Sequence, residues 1–419
     1  MEAALDSPVA WERIEEVVDT YGPRLAGTEA LEATLDWILE GMEADGLENV
    51  RAEPVSVPRW IRGRESLELL TPRPRRLAVL GLGGSIGTPP EGIRARVLVV
   101  GSFQELEDRS SEARGRIVLF DVPFTSYGET VQYRTRGAVA AARAGAVASL
   151  VRSVTPFSLY TPHTGTMSYE EGVDSIPHAA VTLEDAAMLH RMQAESVPVE
   201  VRLTMEARNE GMVPSRNVMA EIVGREYPDE IVVLGGHTDS WDVGQGAMDD
   251  AGGVVAAWEA LRLMKELGLR PRRTVRVVGW TAEEVGIYGG RAYAESPARE
   301  REEHVLGIES DSGVFSPLGF GFTGSDAAFA VVREVGRLLE PVGADRVSRG
   351  GGGADIGPMM RSRGMPGMGL QVESTRYFWY HHTEADTLDK LDPAEVARCV
   401  AALAVMAYVV ADLPDPLPR

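Results

Sequence analysis

The run Ile231-Val232-Val233-Leu234-Gly235-Gly236-His237-Thr238-Asp239 decides the fold. Four consecutive apolar residues, three of them β-branched, read as a strand buried on both faces, and the glycines behind them end it in polar residues. Outward from this stretch the pattern repeats. Residues 251–267 place Val254, Trp258, Leu261 and Met264 on one helical stripe. Residues 274–279, 304–308 and 368–372 read as further apolar strands, and 393–411 as a closing helix. Unbroken apolar strands between amphipathic helices predict an α/β fold, a sheet covered by helices on both faces.

Ligands of such sheets lie beyond the carboxyl ends of the strands, so the residues found there matter most. They are Gly235-Gly236-His237-Thr238-Asp239, then Gly246-Ala247-Met248-Asp249-Asp250 past a glycine-rich loop, Thr281-Ala282-Glu283-Glu284, Glu309-Ser310-Asp311, and His381-His382-Thr383-Glu384-Ala385-Asp386-Thr387. Any one of these alone is ordinary: a His-x-Asp is usually a hydrogen-bonded pair and a Glu-Glu a solvated edge. Together they place imidazoles and carboxylates at nearly every strand end. Unpaired buried carboxylates cost several kcal/mol each, and metal ions remove that cost. Nitrogen and oxygen donors without thiolate suit zinc, with cobalt or manganese as substitutes.

The rest of the chain supports this core. Asp6-Ser7-Pro8 starts a helix that Gly22-Pro23 stops, and a second helix runs from Thr28 to Gly46 with Leu31, Leu35, Ile38, Leu39 and Met42 inward. From Ile93 to Leu203 short strands alternate with a Gly/Ala helix near residues 137–145, a mainly-β insertion in which His163, His178 and His190 lack ligand spacing. The predicted organisation is therefore 1–92, an inserted domain at 93–205, and 206–419. Gly83-Gly84-Ser85-Ile86-Gly87 imitates a nucleophile elbow, but Thr88-Pro89-Pro90 forbids the helix an elbow must enter. Gly81-x-Gly83 fails as a dinucleotide fingerprint for the same reason.

Composition narrows the function. The 419 residues are 44% hydrophobic and 25% charged, with a formal charge of −21. Such a surface repels phosphate backbones and anionic lipids, so neither nucleic acid nor membrane is an expected partner. The longest apolar run, Cys399 to Val410, is too short to span a bilayer. The single cysteine, Cys399, excludes an intrachain disulfide framework and reads as a buried, inert thiol. Residues 1–6 lack the basic and apolar regions of a signal peptide, so the chain as written reads as cytoplasmic; a secreted or periplasmic location is the alternative if a signal was removed.

The sequence resembles the two-zinc exopeptidases of the aminopeptidase/carboxypeptidase superfamily, and is most similar to its carboxypeptidase Q (plasma glutamate carboxypeptidase) family. The likeness rests on Gly236-His237-x-Asp239-Ser240-Trp241-Asp242-Val243-Gly244-Gln245-Gly246-Ala247-Met248-Asp249-Asp250 and on Leu269-Arg270-Pro271-x-Arg273-Thr274. It extends to Ser85-Ile86-Gly87-Thr88-Pro89-Pro90-Glu91-Gly92 and to Val131-Gln132-Tyr133-Arg134-Thr135, and so covers essentially the whole chain. The resemblance implies a zinc-exopeptidase sandwich, a mostly parallel mixed sheet between helices, whose insertion is a protease-associated domain. It implies two zinc ions per chain bridged by Asp249, with His237 and Asp311 completing one site and Glu284 and His382 the other. Asp239 would hold the ring of His237, and Glu283 would be the general base. His381 or Tyr380 is a candidate donor to the oxyanion, and Arg376 a candidate cation for a substrate carboxylate. The expected activity is hydrolysis of small unblocked peptides, as a dipeptidase or carboxypeptidase; the resemblance also suggests a homodimer. The alternatives are an aminopeptidase of the same fold, a one-zinc glutaminyl cyclase, or a receptor-like binding module without ligands.

Overall fold

The computed structural model describes residues 1–419, which divide into two units. The first comprises Met1–Val57, Val213–Tyr377 and Asp386–Arg419, and the second Pro58–Met212 with Phe378–Ala385.

An eight-stranded mixed sheet organises the first unit, in the order Glu48–Ile61, Arg208–Ile222, Arg273–Trp280, Tyr227–His237, Glu303–Glu309, Gly367–Val372, Pro317–Thr323 and Arg346–Arg349. Its four central strands run parallel; Arg208–Ile222 pairs antiparallel to Arg273–Trp280 and Pro317–Thr323 antiparallel to Gly367–Val372, while Arg346–Arg349 runs parallel to Pro317–Thr323. The decisive run 231–234 is the middle of the strand Tyr227–His237, buried throughout that stretch. Its alternate residues serve two layers. Ile231 and Val233 pack with Val278, Tyr293, Ile356 and Met359, under the helices Tyr288–Glu295 and Gly357–Arg363. The helices Gly252–Glu266 and Pro393–Asp412 lie against each other and also touch this strand. The predicted sheet between helices is therefore present.

Local chemistry sets the helix ends. Thr28 Oγ1 accepts the N–H of Leu31 at 3.3 Å, a cap worth about 1 kcal/mol, and opens Glu29–Ala44, whose Leu31, Leu35, Ile38 and Met42 are buried. The helix Val9–Glu16 continues as a π-helical turn to Tyr21 and stops at Gly22 with φ of 62°, a left-handed value that glycine accepts without strain. Asp392 caps Pro393–Asp412 through the N–H groups of Ala394 and Glu395, at 2.8 and 3.2 Å. Cys399, on that helix, is buried and donates to the carbonyl of Phe315; burial drives its thiol pKa far up, as an inert core thiol requires.

The second unit has its own eight-stranded sheet. Ile93–Val100, Ile117–Phe120, Ala148–Arg152 and His178–Val181 run parallel at its centre, with antiparallel strands at both edges. Parallel neighbours need crossovers, and the helix Gln132–Arg143 supplies one, its Ala138 and Ala141 packing beside Val118 and Phe120. Thus the segment 93–205 carries helices as well as strands. No helix follows Ser85. Its hydroxyl accepts the N–H of His178 at 2.9 Å and donates to the carbonyl of Ile86, which leaves it no nucleophilic role.

Candidate metal centre

Within the first unit the carboxyl ends of three parallel strands gather His237, Asp239, Glu283, Glu284, Glu309 and Asp311. His237 is the last residue of its strand. Its Nε2 lies 3.1 Å from Asp249 Oδ1 and 3.5 Å from Asp311 Oδ1. Its Nδ1 faces the backbone carbonyl of Asp239 at 2.9 Å, with the Asp239 carboxylate at 3.5 Å. A carbonyl can only accept, so Nδ1 bears a proton, and Nε2 is the nitrogen turned toward the acids. Donor atoms of His237, Asp249 and Glu284 lie within 4.8 Å of one another, as do those of His237, Asp250 and Asp311.

The backbone explains how so many acids converge. Ala282, buried and just before the Glu-Glu pair, has φ of 58°, a left-handed conformation costing about 1–2 kcal/mol for a residue with a Cβ. Such strain concentrates where a side chain must be aimed. Asp239 then clamps the turn: its two carboxylate oxygens accept the N–H groups of Glu283 and Glu284, at 3.0 and 3.3 Å. Asp386 clamps the second loop likewise, accepting from Met248 and Asp249 at 2.8 and 3.2 Å. Asp250 accepts the N–H of His237 at 3.0 Å and of Gly253 at 3.1 Å. A Cβ on Gly236 or Gly253 would stand within 2.2 Å of its carboxylate, so glycine is required at both.

Electrostatics mark the cluster as one that favours cations. Burial, reinforced by the charge of Asp311, pushes Glu283 well above the ordinary carboxylate range, and burial with the charge of Asp249 does the same to Glu284. Burial likewise raises Asp250, and raises Asp311 despite its hydrogen bond to His237. Burial alone would lower His237, but its bonds to Asp239, Asp249 and Asp311 carry it well above the ordinary imidazole value. Several acids around one imidazole are more negative charge than a buried site sustains, and divalent cations are the chemistry that balances it. The donors also fit: imidazole and carboxylate, without thiolate.

The remaining sequence candidates stand as follows. His381, His382 and Tyr380 belong to the second unit. There His382 has a left-handed backbone, φ 61°, and its Nδ1 lies 3.3 Å from the carbonyl of Thr164. The rings of His381 and His382 stack at 3.5 Å, and Tyr127 meets His381 edge-on. Tyr380 uses its carbonyl to accept from Thr383. Arg376 pairs with Glu395 at 3.3 Å and lies over the ring of Phe315.

Two contributors, Arg24 and Asp355, escaped the sequence reading, and a third, Glu309, was named at its strand end without a role. Arg24 is wholly buried and donates to the carbonyls of Gly22, Thr238, Gln245 and Gly246, tying the N-terminal segment to the loop before Asp249. Glu309 accepts the N–H groups of Asp355 and Ile356 at 3.3 and 2.8 Å, and burial with Asp311 raises it to about 7. Asp355 in turn accepts from Gly290. An aspartate inside a strand-end loop was a visible signal for Asp355; nothing local pointed to Arg24.

Known proteins match this chain throughout. The model of peptidase family M28 matches residues 217–407. Mouse carboxypeptidase Q is 49% identical over 410 residues, covering 98% of this chain and 87% of that protein. The crystal structure of a peptidase M28 precursor from Shewanella amazonensis superposes with a TM-score of 0.95 at 36% identity, covering 100% of this chain and 96% of that one. A zinc aminopeptidase from Bacillus subtilis shares the fold, with a TM-score of 0.71 at 21% identity over 98% of each chain. The chain therefore belongs to the carboxypeptidase Q family of M28 peptidases, and is a hydrolase of the metallopeptidase type.

Proposed function

We propose that this chain is a two-zinc exopeptidase that hydrolyses small unblocked peptides with Glu283 as general base. The observation that carries the reading is the buried meeting of His237 with Asp249, Asp311 and Glu284 beside Glu283, too acidic to stand without cations. Asp249 is read as the ligand common to both ions, His237 and Asp311 as holding one, and Glu284 as holding the other together with His382, which the sequence motif alone assigns. Zinc held there supplies a Lewis acid for the scissile carbonyl and lowers the pKa of the attacking water.

Glu283 does the proton work. It would take a proton from the attacking water and deliver it to the leaving amine, which is general acid–base work. The clamp from Asp239 fixes its backbone, which keeps base and ligand on separate side chains of adjacent residues. No covalent enzyme intermediate is needed. Activity at the level of dipeptides, a carboxypeptidase-type preference and a homodimer are part of the same proposal. So is the exclusion of nucleic acid and membrane as partners.

The test combines metal analysis with hydrolysis of free dipeptides before and after chelation. About two zinc ions per chain and chelator-sensitive cleavage are expected. One ion with glutamine cyclisation, or no metal and no turnover, would overturn the proposal in favour of a cyclase or a binding module.

A further inference from the structure

The run Val131–Thr135 carries part of the family likeness yet has no part in the chemistry above. Its Arg134, in the first turn of the helix Gln132–Arg143, is only 5% exposed. A buried guanidinium normally finds a carboxylate or fills its donors. The other buried arginines obey. Arg276 meets Glu221 and Glu302, Arg299 meets Glu53 and Glu302, Arg273 meets Glu230, Arg62 meets Glu65, and Arg24 has four carbonyls.

Arg134 has no such compensation. Nη2 donates to Tyr127 Oη at 2.9 Å, and Nη1 reaches the carbonyl of Thr164 only at 3.5 Å. Its Nε–H has no acceptor, and no carboxylate pairs with it. The group is nevertheless firmly placed. A Cβ on Gly165, whose φ is 137°, would come within 2.2 Å of Nη1, so the backbone there passes tightly against the guanidinium. Nη1 also lies 3.5 Å from His382 Nδ1, and Tyr127 and Phe378 stack at 5.2 Å beside the edge-on ring of His381. This is a preformed, poorly hydrated cation flanked by aromatic rings, with donors to spare.

We infer that Arg134 is the residue that receives the free carboxylate of a small peptide or amino acid at this site. The inference deepens the proposed function and rests on its reading of His382 as a metal ligand. Arg376 is the poorer candidate, because Glu395 already neutralises it. A forked guanidinium matches a carboxylate with two parallel bonds, and aromatic surroundings strengthen that attraction. Recognition of a free carboxylate would give the enzyme its preference for unblocked C-termini.

The experiment compares Ala-Leu with its C-terminal amide as substrates, and leucine with leucinamide as ligands by calorimetry, on the metal-loaded wild type, Arg134→Met and Arg134→Lys. The wild type is expected to favour each free acid by about 100-fold, the scale of a lost buried charge pair, with the kinetic effect mainly in KM. Arg134→Met should bring both ratios close to 1 while handling the amides as before, and Arg134→Lys should recover part of the preference. A wild type indifferent to the carboxylate overturns the inference. So does an Arg134→Met that loses acid and amide equally, since that is what a merely structural role predicts. If Arg134→Met does not fold, the acid-to-amide ratio of Arg134→Lys decides by the same criterion. A wild type that cleaves neither substrate refutes the proposed function, and leucine against leucinamide binding still decides Arg134.

Discussion

Asp239 Oδ1 accepts the backbone N–H of Glu283 at 3.0 Å, and its other oxygen takes that of Glu284. One buried carboxylate thus fixes the peptide planes of the proposed base and of a proposed ligand, while its own carbonyl orients His237. Asp239→Asn can satisfy only one of the two N–H groups, because its amide nitrogen would face the other. Turnover should fall by about 10–100-fold, the usual cost of disturbing groups behind a metal site, with the fold retained. Kinetics paired with zinc analysis check this; an unchanged kcat would show that the clamp is dispensable.

Adjacent residues are assigned different tasks, and substitution separates them. Glu283→Gln preserves shape and removes the base, so it should keep its zinc and lose about 10²–10⁴-fold in kcat. Glu284→Gln weakens a ligand and should lose zinc first, with activity partly restored by excess metal. Equal metal loss in both variants would show that Glu283 also coordinates.

The strand and the acids behind it were readable because apolar runs and strand ends are local patterns: 231–234, Glu283-Glu284 and Asp311 follow directly from them. What ties them together was not. Arg24 reaches the loop before Asp249 through backbone carbonyls more than two hundred residues away, and a carbonyl has no letter in a sequence. The same limit hid the role of the Asp239 carboxylate. Its nearness to His237 in sequence suggested a partner for the ring, whereas its shorter bonds go to the N–H groups of residues forty-four and forty-five positions on. Arg376 was nominated for nearness to His381 and His382, and its pairing with Glu395 depends on a helix packed from elsewhere in the chain.

Metal loading should release protons. Without cations, burial and like charge hold Glu283, Glu284 and Asp250 above the ordinary carboxylate range. Between that ordinary range and the raised values, the metal-free folded chain carries protons its unfolded form has lost, so metal-free stability falls as pH rises. Zinc competes with those protons, and its apparent affinity should weaken as pH drops. Calorimetry in two buffers of different ionisation enthalpy measures the release directly. A buffer-independent heat would mean the acids are already ionised and the charge argument is wrong.

The second unit should limit acid stability. His178 is fully buried, with Nε2 3.4 Å from the carbonyl of Tyr133 and Nδ1 without a partner. Burial lowers its pKa to about 4, and it lowers that of His163 equally. Below the unfolded value of about 6.5 the unfolded chain binds a proton that the folded ring refuses. Stability therefore falls as pH drops from about 6.5 to about 4, by roughly 3 kcal/mol for His178. His178→Gln removes the titration. It should be less stable than the wild type near pH 7, where the ring still packs against Gly137, and should lose less on acidification. Urea unfolding at pH 7, 5.5 and 4 gives both slopes. Parallel slopes for wild type and variant would mean that His178 titrates normally, and that the acid sensitivity arises elsewhere.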